Sequence, residues 1–227
     1  VYNNAALGEF QRAASELARE KTTQGALKKS FVRYENLIAK SIAESDTKPS
    51  CKAGCSFCCY YKVEVKAHEM FLVKEHMEKN FSTTQVNAVL QEATINSALI
   101  RNLSPIEHLV TNIKCPFLVE NTCSIYLVRP FTCRNLHSTD YESCEKSHIN
   151  PADLTIENTF IESVALFGNA HSQGFEAAVQ QTGLDLRTYD LNTALIEVFE
   201  QPNAMKRYKR GKKAFVDAIE VNDDNNS

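Results

Sequence analysis

Apolar residues recur at helical spacing over the first 44 residues of the chain. In residues 8–20, one helical face carries Phe10, Ala13, Ala14 and Leu17. In residues 24–44, the same pattern carries Leu27, Phe31, Tyr34, Ile38 and Ile42. A period of about 3.6 residues is typical of amphipathic helices that bury one face. We therefore predict two helices in this part of the chain.

Three more helices are predicted between residue 67 and the second group of cysteines, which starts at Cys115. Residues 67–79 have a helical pattern. Ser82 and Gln85 have the spacing of a capping box, and Phe81 and Val86 are placed to form a hydrophobic staple. In the stretch Ser104-Pro105-Ile106-Glu107, serine is the predicted N-cap, proline the first helical residue and glutamate the N3 residue.

The helical pattern is interrupted in the middle of the chain. Residues 61–65 alternate and predict an extended segment, and residues 115–148 have no period and predict loops. Helical patterns return with Phe160, Ile161, Val164 and Ala165, and again with Leu191, Ala194, Leu195 and Val198. We predict an all-α protein, a helical bundle around an irregular cysteine-rich metal-binding centre.

Four regions are predicted, all within one structural domain. They are N-terminal helices over 1–50, a cysteine-cluster region with a helical insert over 51–148, C-terminal helices over 149–216, and a flexible tail over 217–227. The chain starts at Val1 rather than methionine, which is compatible with the removal of an upstream segment.

Composition narrows the class of protein. The 227 residues are 43% hydrophobic and 23% charged, with a net charge of −3. These values are typical of a globular protein and give no sign of a nucleic-acid or membrane partner. No apolar run approaches the roughly 20 residues of a membrane-spanning helix. The absence of any G-x-G or GK[ST] motif argues against a phosphate-binding loop. We expect a cytoplasmic protein.

The eight cysteines all lie between residues 51 and 144. They are Cys51, Cys55, Cys58, Cys59, Cys115, Cys123, Cys133 and Cys144. Gaps of two to four residues allow one loop to direct several sulfurs at one ion. The second block of cysteines reaches the same place if residues 60–114 fold back as a helical hairpin. Cys144 is the weakest candidate, because it lies furthest along the chain.

Other uses of the cysteines are weighed against metal binding. Disulfides need an oxidising compartment, and a helical chain of this size has little need of them. Buried, unreactive thiols would be spread through the helical core. Four thiolates complete a tetrahedral Zn²⁺ site or hold a [4Fe–4S] cluster. Since Cys58 and Cys59 are adjacent, one of them is expected to serve a second centre, bridge two ions or remain free.

Two known motifs are similar to the cysteine blocks. Cys51, Cys55, Phe57 and Cys58 resemble the cluster loop of radical SAM enzymes, but the helical pattern and the absence of paired glycines argue against that class. The stretches "CKAGCSFCC" and "CPFLVENTCSIYLVRPFTCRNLHSTDYESC" resemble the YkgJ-like cysteine-cluster family. This resemblance covers residues 51–144 and implies chelation of zinc or iron. It leaves the biochemical role undefined.

Several residues near the cysteines are candidates for supporting roles. Arg129 and Arg134 are placed to compensate thiolate charge, and Tyr126 and Phe117 to line the site. Weaker ligand candidates are His137, His148 and His68. Glu69 is interpreted as a structural, helix-capping residue rather than an iron ligand.

A basic run near the end of the chain contains Lys206, Arg207, Lys209, Arg210, Lys212 and Lys213. It is interpreted as a solvated helix end.

Two functional hypotheses follow. In the first, the protein is a zinc- or iron-binding module with a closed thiolate site. In the second, it is an iron–sulfur-dependent enzyme with a redox or protein-modifying activity, related to the methylases that carry a similar cluster. A closed four-cysteine site has no position for a substrate, which favours the first hypothesis. The sequence contains no separate methyl-donor motif.

Overall fold

The computed structural model describes residues 2–20 and 22–221, and this part of the chain is mostly helical. Its ten α-helices are Tyr2–Arg19 (α1), Thr23–Glu44 (α2), Ala67–Asn80 (α3), Thr83–Ile100 (α4), Pro105–Leu109 (α5), Phe131–Arg134 (α6), Tyr141–Ile149 (α7), Glu162–Gln181 (α8), Leu191–Glu200 (α9) and Ala204–Tyr208 (α10). Its five strands are Glu64–Lys66 (β1), Leu118–Val119 (β2), Thr122–Cys123 (β3), Thr188–Asp190 (β4) and Glu220–Val221 (β5).

The N-terminal helices pack against α8, which lies more than 100 residues further along the chain. Both α1 and α2 contact α8, and α2 also contacts α3. Gly174 in α8 permits the close approach of α1, because a Cβ atom there would lie 2.3 Å from the carbonyl oxygen of Ala6. The apolar face predicted for α2 is buried, with Leu27 and Phe31 in the core.

A buried carboxylate joins the first two helices. Glu9 is 2% exposed, and its oxygens accept hydrogen bonds from Arg33 Nε at 2.7 Å, Arg33 Nη2 at 2.6 Å and Ser30 Oγ at 2.7 Å. Arg33 also donates to Glu16 at 2.8 Å. A buried charge is tolerated when it is paired and hydrogen-bonded in this way. Glu9 therefore fixes the position of α1 on α2.

A small antiparallel sheet connects the middle of the chain with its C-terminal part. Its strand order is β1-β4-β5, with Val65 opposite Tyr189 and Tyr189 opposite Glu220. The predicted extended segment at 61–65 overlaps β1. The all-α prediction is correct for most of the chain, but it missed this sheet. Strands of two or three residues are too short to show a period in the sequence.

The predicted helix starts are confirmed. The Ser82–Gln85 and Ser104–Glu107 capping boxes are both present, at α4 and α5.

Two other predictions differ from the structure. Residues 60–114 were predicted to fold back as a helical hairpin, but their two long helices, α3 and α4, both pack against α9. The loop prediction over 115–148 is wrong for α6 and α7. At the start of α7, Asp140 Oδ1 accepts hydrogen bonds from two backbone N–H groups, although the helix buries no residue completely.

The last described residues belong to the fold. The Glu197 carboxylate, 4% exposed, accepts hydrogen bonds from the backbone N–H groups of Val216, Asp217 and Ala218 at 2.5, 2.8 and 2.8 Å. These bonds lead the chain into β5. A flexible tail was predicted to begin at 217, but the chain is held in place up to 221. The rest of that prediction, 222–227, lies outside the described residues.

The three hydrogen bonds at Glu197 predict a large effect of its removal. Glu197→Ala leaves the N–H groups of residues 216–218 without an acceptor, and we expect the free energy of unfolding to fall by about 3 kcal/mol. Urea unfolding at neutral pH measures this change. Glu200→Ala, at the exposed end of the same helix, is the control and should change stability by less than about 0.5 kcal/mol. Equal midpoints for the two variants would contradict this role.

Candidate metal centre

The first cysteine block is a compact turn. Gly54 has a φ of +84°, a conformation that favours glycine, and the N–H of Cys55 donates to the carbonyl of Lys52 at 3.0 Å. The chain then forms a 3-10 turn over Phe57–Tyr60. These two turns place the thiols of Cys51, Cys55, Cys58 and Cys59 on one short segment.

Backbone hydrogen bonds hold this loop against the start of the second cysteine block and against the segment between Cys133 and Cys144. The N–H of Cys115 donates to the carbonyl of Cys59 at 2.8 Å, and the N–H of Ile113 donates to the carbonyl of Tyr60 at 3.0 Å. Before the loop, the N–H of Ser50 donates to the carbonyl of Ser138 at 2.8 Å. The two cysteine blocks, predicted to meet, therefore adjoin one another.

Aromatic contacts fix α7 against the same loop. The ring centroids of Phe57 and Tyr141 are 5.2 Å apart, those of Phe57 and His148 5.4 Å, and those of Tyr60 and His148 4.6 Å. Since α7 carries Cys144, these contacts place Cys144 beside the first block.

The second block begins as a hairpin and ends in a short helix. β2 and β3 pair with Leu118 opposite Cys123, and the turn between them contains Glu120 and Asn121 with φ of 48° and 59°. Asn121 Oδ1 accepts a hydrogen bond from Ser56 Oγ at 3.0 Å, which ties the hairpin tip to the first block. Cys133 lies in α6.

Six of the thiols can be grouped by the elements that carry them or pack against them. We define the α7 set as Cys51, Cys55 and Cys144, and the hairpin set as Cys115, Cys123 and Cys133. Cys51 interacts electrostatically with Cys55 and Cys144, and Cys133 interacts in the same way with Cys115 and Cys123. Cys58 interacts with members of both sets.

The thiols of the hairpin set are partly buried. Burial raises the pKa of Cys115 to about 12 and that of Cys133 well above its usual range. Burial also raises the pKa of Cys123, although the charge of Arg129 acts in the opposite direction. A thiolate in this environment needs a positive partner, such as a metal ion or a guanidinium group.

The donor set suits a metal that prefers sulfur. All eight cysteines are free thiols, and thiolates favour zinc, iron and copper over magnesium or calcium. Within 2–20 and 22–221, no three Cys, His, Asp or Glu side chains are already arranged to hold an ion. The thiols therefore interact electrostatically, but no three of them are directed at a common position as the ligands of a metal ion are. The assignment of the eight ligands stays a prediction.

Arg129 has a free hydrogen-bond donor near the sulfurs. The residue is 8% exposed, and its guanidinium lies 3.7 Å from the ring centroid of Tyr126 and 3.5 Å from Glu35 Oε1. Its Nη1 atom is buried and has no hydrogen-bond partner. Its charge acts on Cys58 and Cys123. This environment suits the predicted charge-compensating role of Arg129 and the supporting role of Tyr126.

Arg134 instead braces the backbone. Its Nε donates to the carbonyl of Arg129 at 2.8 Å, its Nη2 donates to the carbonyl of Leu127 at 2.6 Å, and its Nη1 donates to Glu35. The guanidinium also lies 3.8 Å from the ring centroid of Phe31. These contacts engage its N–H groups with the chain, while its charge, like that of Arg129, acts to lower the pKa of Cys123. Glu35, which contacts both arginines, was missed because it is one of many polar residues on α2.

Glu69 has the structural role that the sequence analysis favoured. Its Oε1 accepts a hydrogen bond from the N–H of Phe131 at 2.8 Å, and its Oε2 accepts one from the N–H of Lys66 at 2.8 Å. Burial raises the pKa of its carboxyl group to about 7. Glu69 thus caps α3 and holds the start of α6, which carries Cys133.

The histidine candidates occupy different environments. The Nδ1 atoms of His137 and His148 are buried without hydrogen-bond partners. His68 is completely buried against Phe175, with ring centroids 5.5 Å apart, and neither ring nitrogen has a partner. His68 therefore belongs to the core of the protein.

Part of the basic run is also structural. Arg207 donates to the carbonyl of Ala214 at 2.7 Å and pairs with Glu197 at 3.2 Å. Lys213 pairs with Glu220 at 3.2 Å. These bonds fix the chain that leads to β5, so at least these two residues stabilise the fold.

Comparison with known proteins supports the interpretation of the cysteine block. Residues 50–158 match the CxxCxxCC family, described as "Putative zinc- or iron-chelating domain". No curated protein and no solved structure matches the chain. Among the helices of the described residues, none combines the length and apolar character needed to cross a bilayer.

Burial of His68 predicts a pH dependence of stability. Burial lowers its folded-state pKa from 6.5 to about 3, so between these values the unfolded chain binds the additional proton. Stability is therefore lost as the pH falls below 6.5. From pH 7 to pH 5, we expect His68 to account for a loss of about 2 kcal/mol.

Urea unfolding of the wild type and of His68→Leu at both pH values tests this expectation. Other titrating groups contribute equally to both proteins, so the difference between them isolates His68. The wild type should lose more stability than the variant on acidification. Parallel losses would show that His68 is protonated as readily in the folded protein as in the unfolded chain.

Proposed function

We infer from the membership of residues 50–158 in the YkgJ-type family of zinc- or iron-chelating cysteine clusters that this protein binds a transition-metal ion through clustered thiolates. The observation that carries the proposal is the pair of backbone bonds that join the two cysteine blocks, from Cys115 to Cys59 and from Ser50 to Ser138. Cysteines far apart in sequence are thereby gathered at one place, as a shared metal site requires.

An unpartnered N–H donor of the Arg129 guanidinium supports an anionic site. Four thiolates around one divalent ion carry a net negative charge, which a buried N–H donor stabilises by bonding to sulfur. Arg129 Nη1 is such a donor, and Arg129 acts electrostatically on Cys58 and Cys123. Tyr126 and Glu35 contact the same guanidinium and hold its orientation.

Metal binding replaces the protons of the thiols. Because thiolates are the ligands, uptake of the ion releases protons to the solvent, and the binding free energy adds to the stability of the folded block. We propose zinc or iron as the ion and a binding module in a reducing compartment, the cytoplasm, as its setting, since free thiols persist there. An iron–sulfur cluster is the alternative cofactor for the same cysteines.

Elemental analysis of the full chain purified without oxygen tests the proposal. We expect zinc or iron to accompany the protein through gel filtration. A colourless sample containing zinc identifies a zinc site. Iron together with inorganic sulfide and visible absorption identifies a cluster. A folded protein that retains neither metal, even after incubation with Zn²⁺ or Fe²⁺, would refute thiolate metal binding.

A single substitution in the first block should lower the metal content sharply. Cys55→Ser replaces a soft thiolate by a poor ligand for these ions, so we expect at least half of the bound metal to be lost. Ala53→Ser introduces the same side chain at an exposed position of the same loop and should retain the wild-type content. Equal metal content in the two variants would exclude Cys55 as a ligand.

A further inference from the structure

The helix α4 has little of the charge expected of a helix that faces water. Glu92 is the one ionisable residue among its 18 residues, in a chain that is 23% charged. Val89, Ala93 and Ile100 are buried, and the helix packs against α9. The opposite side of α4 is exposed, although it is neutral as well. A helix without a charged side is typical of one that is buried all round.

We define the outer face of α4 as Ala88, Gln91, Ile95, Ala98 and Leu99. All five residues are exposed, and the two large apolar ones are exposed to 59% (Ile95) and 46% (Leu99). Depletion of charged residues, more than general hydrophobicity, distinguishes the core of a protein–protein interface from other surface. The outer face of α4 therefore has the composition of an interface, and nothing within residues 2–20 and 22–221 covers it.

We propose that the outer face of α4 is the contact between two copies of this chain, with the two α4 helices antiparallel about a two-fold axis. The proposal goes beyond metal binding, because it adds an assembly and uses none of the cysteines. The spacing, the sizes and the lack of charge of the outer-face residues each favour a second copy as the occupant.

The spacing of these residues suits packing against another helix. Positions 84, 88, 91, 95 and 98 follow one another in alternating steps of four and three residues. This is the repeat found where two helices pack side by side. At 1.5 Å per residue, the line from Thr84 to Ala98 is about 21 Å long. A second α4 helix can therefore lie along it over most of its length.

The order of large and small side chains is self-complementary. In an antiparallel pair whose two-fold axis is level with residues 96 and 97, Ile95 of each copy lies beside Ala98 of the other. The small alanine leaves room for the isoleucine, and the symmetry forms this contact twice. In the same register, Gln91 of each copy is level with Asn102 of the other, so these polar side chains meet polar partners.

The lack of charge permits two identical surfaces to meet. In a two-fold dimer, a charged residue near the axis would face its own copy and repel it. Glu92 lies beside the outer face, and in this register the two Glu92 residues are about 13 Å apart along the helix axis. Their repulsion is therefore screened at ordinary salt, where charges are screened over about 10 Å. A partner recognised by opposite charge would find no charged group on this face.

Sedimentation equilibrium of the full chain, purified without oxygen, tests the dimer. Because one helix of each copy forms the contact, we expect a weak dimer with a dissociation constant of about 10 μM. Ile95→Glu places two like charges at the axis and should raise this constant at least about tenfold. Val32→Glu introduces the same side chain on α2, at a position that is 62% exposed, and should keep the wild-type constant. Circular dichroism verifies that each variant is folded.

A mixture of two variants tests the antiparallel arrangement. Ala98→Lys alone should also weaken the dimer, because it places two ammonium groups near the axis. When Ala98→Lys is mixed with Ile95→Glu, the introduced ammonium and carboxylate groups lie side by side across the contact. We therefore expect native mass spectrometry to show heterodimers in excess of either homodimer. A mixture without heterodimers would overturn the antiparallel arrangement.

The remaining outcomes separate the dimer from metal binding. A wild-type chain that stays monomeric up to about 0.1 mM would overturn the proposal. A dimer that Ile95→Glu leaves as stable as the wild type would overturn it too, because another surface would then hold the two copies. The zinc content of Ile95→Glu should equal that of the wild type. Absence of metal from both would refute thiolate metal binding, whereas the dimer is measured independently of it.

Discussion

The candidate centre depends on the attachment of the first cysteine loop to the second block by main-chain hydrogen bonds. The bond from Cys115 to Cys59 fixes one end of the loop, and the bond from Ser50 to Ser138 fixes the other. These bonds close residues 60–114 into a long excursion, which costs conformational entropy. Packing of α3 and α4 on α9 compensates for that cost, because it holds the excursion in one arrangement.

Buried charges then set the shape of the second block. Arg134 donates to two backbone carbonyls and to Glu35, and the planar guanidinium is suited to several directed bonds at once. The Glu69 carboxylate has a similar role, because it accepts hydrogen bonds from the backbone N–H groups at the starts of α3 and α6. Arg129, by contrast, keeps one buried guanidinium nitrogen, Nη1, without a hydrogen-bond partner.

Much of the helical structure was predictable because its determinants are local. An amphipathic face such as that of α2 needs apolar residues only three and four positions apart. The capping boxes at Ser82 and Ser104 are complete within four residues. The short spacing from Cys51 to Cys59 is likewise visible in the sequence. It was sufficient to indicate a metal-binding family, which the match over 50–158 supports.

What the sequence by itself determined was therefore the helical character of the chain and the kind of chemistry its cysteines support. Only the tertiary structure decided which cysteine segments are neighbours, because the backbone bonds from Ser50 to Ser138 and from Cys115 to Cys59 join segments that are distant along the chain. The sheet formed by β1, β4 and β5 and the tethering of the C-terminal segment by Glu197 have the same origin. Such pairings depend on how the helices pack, and the spacing of apolar residues along the chain does not show which helices pack together.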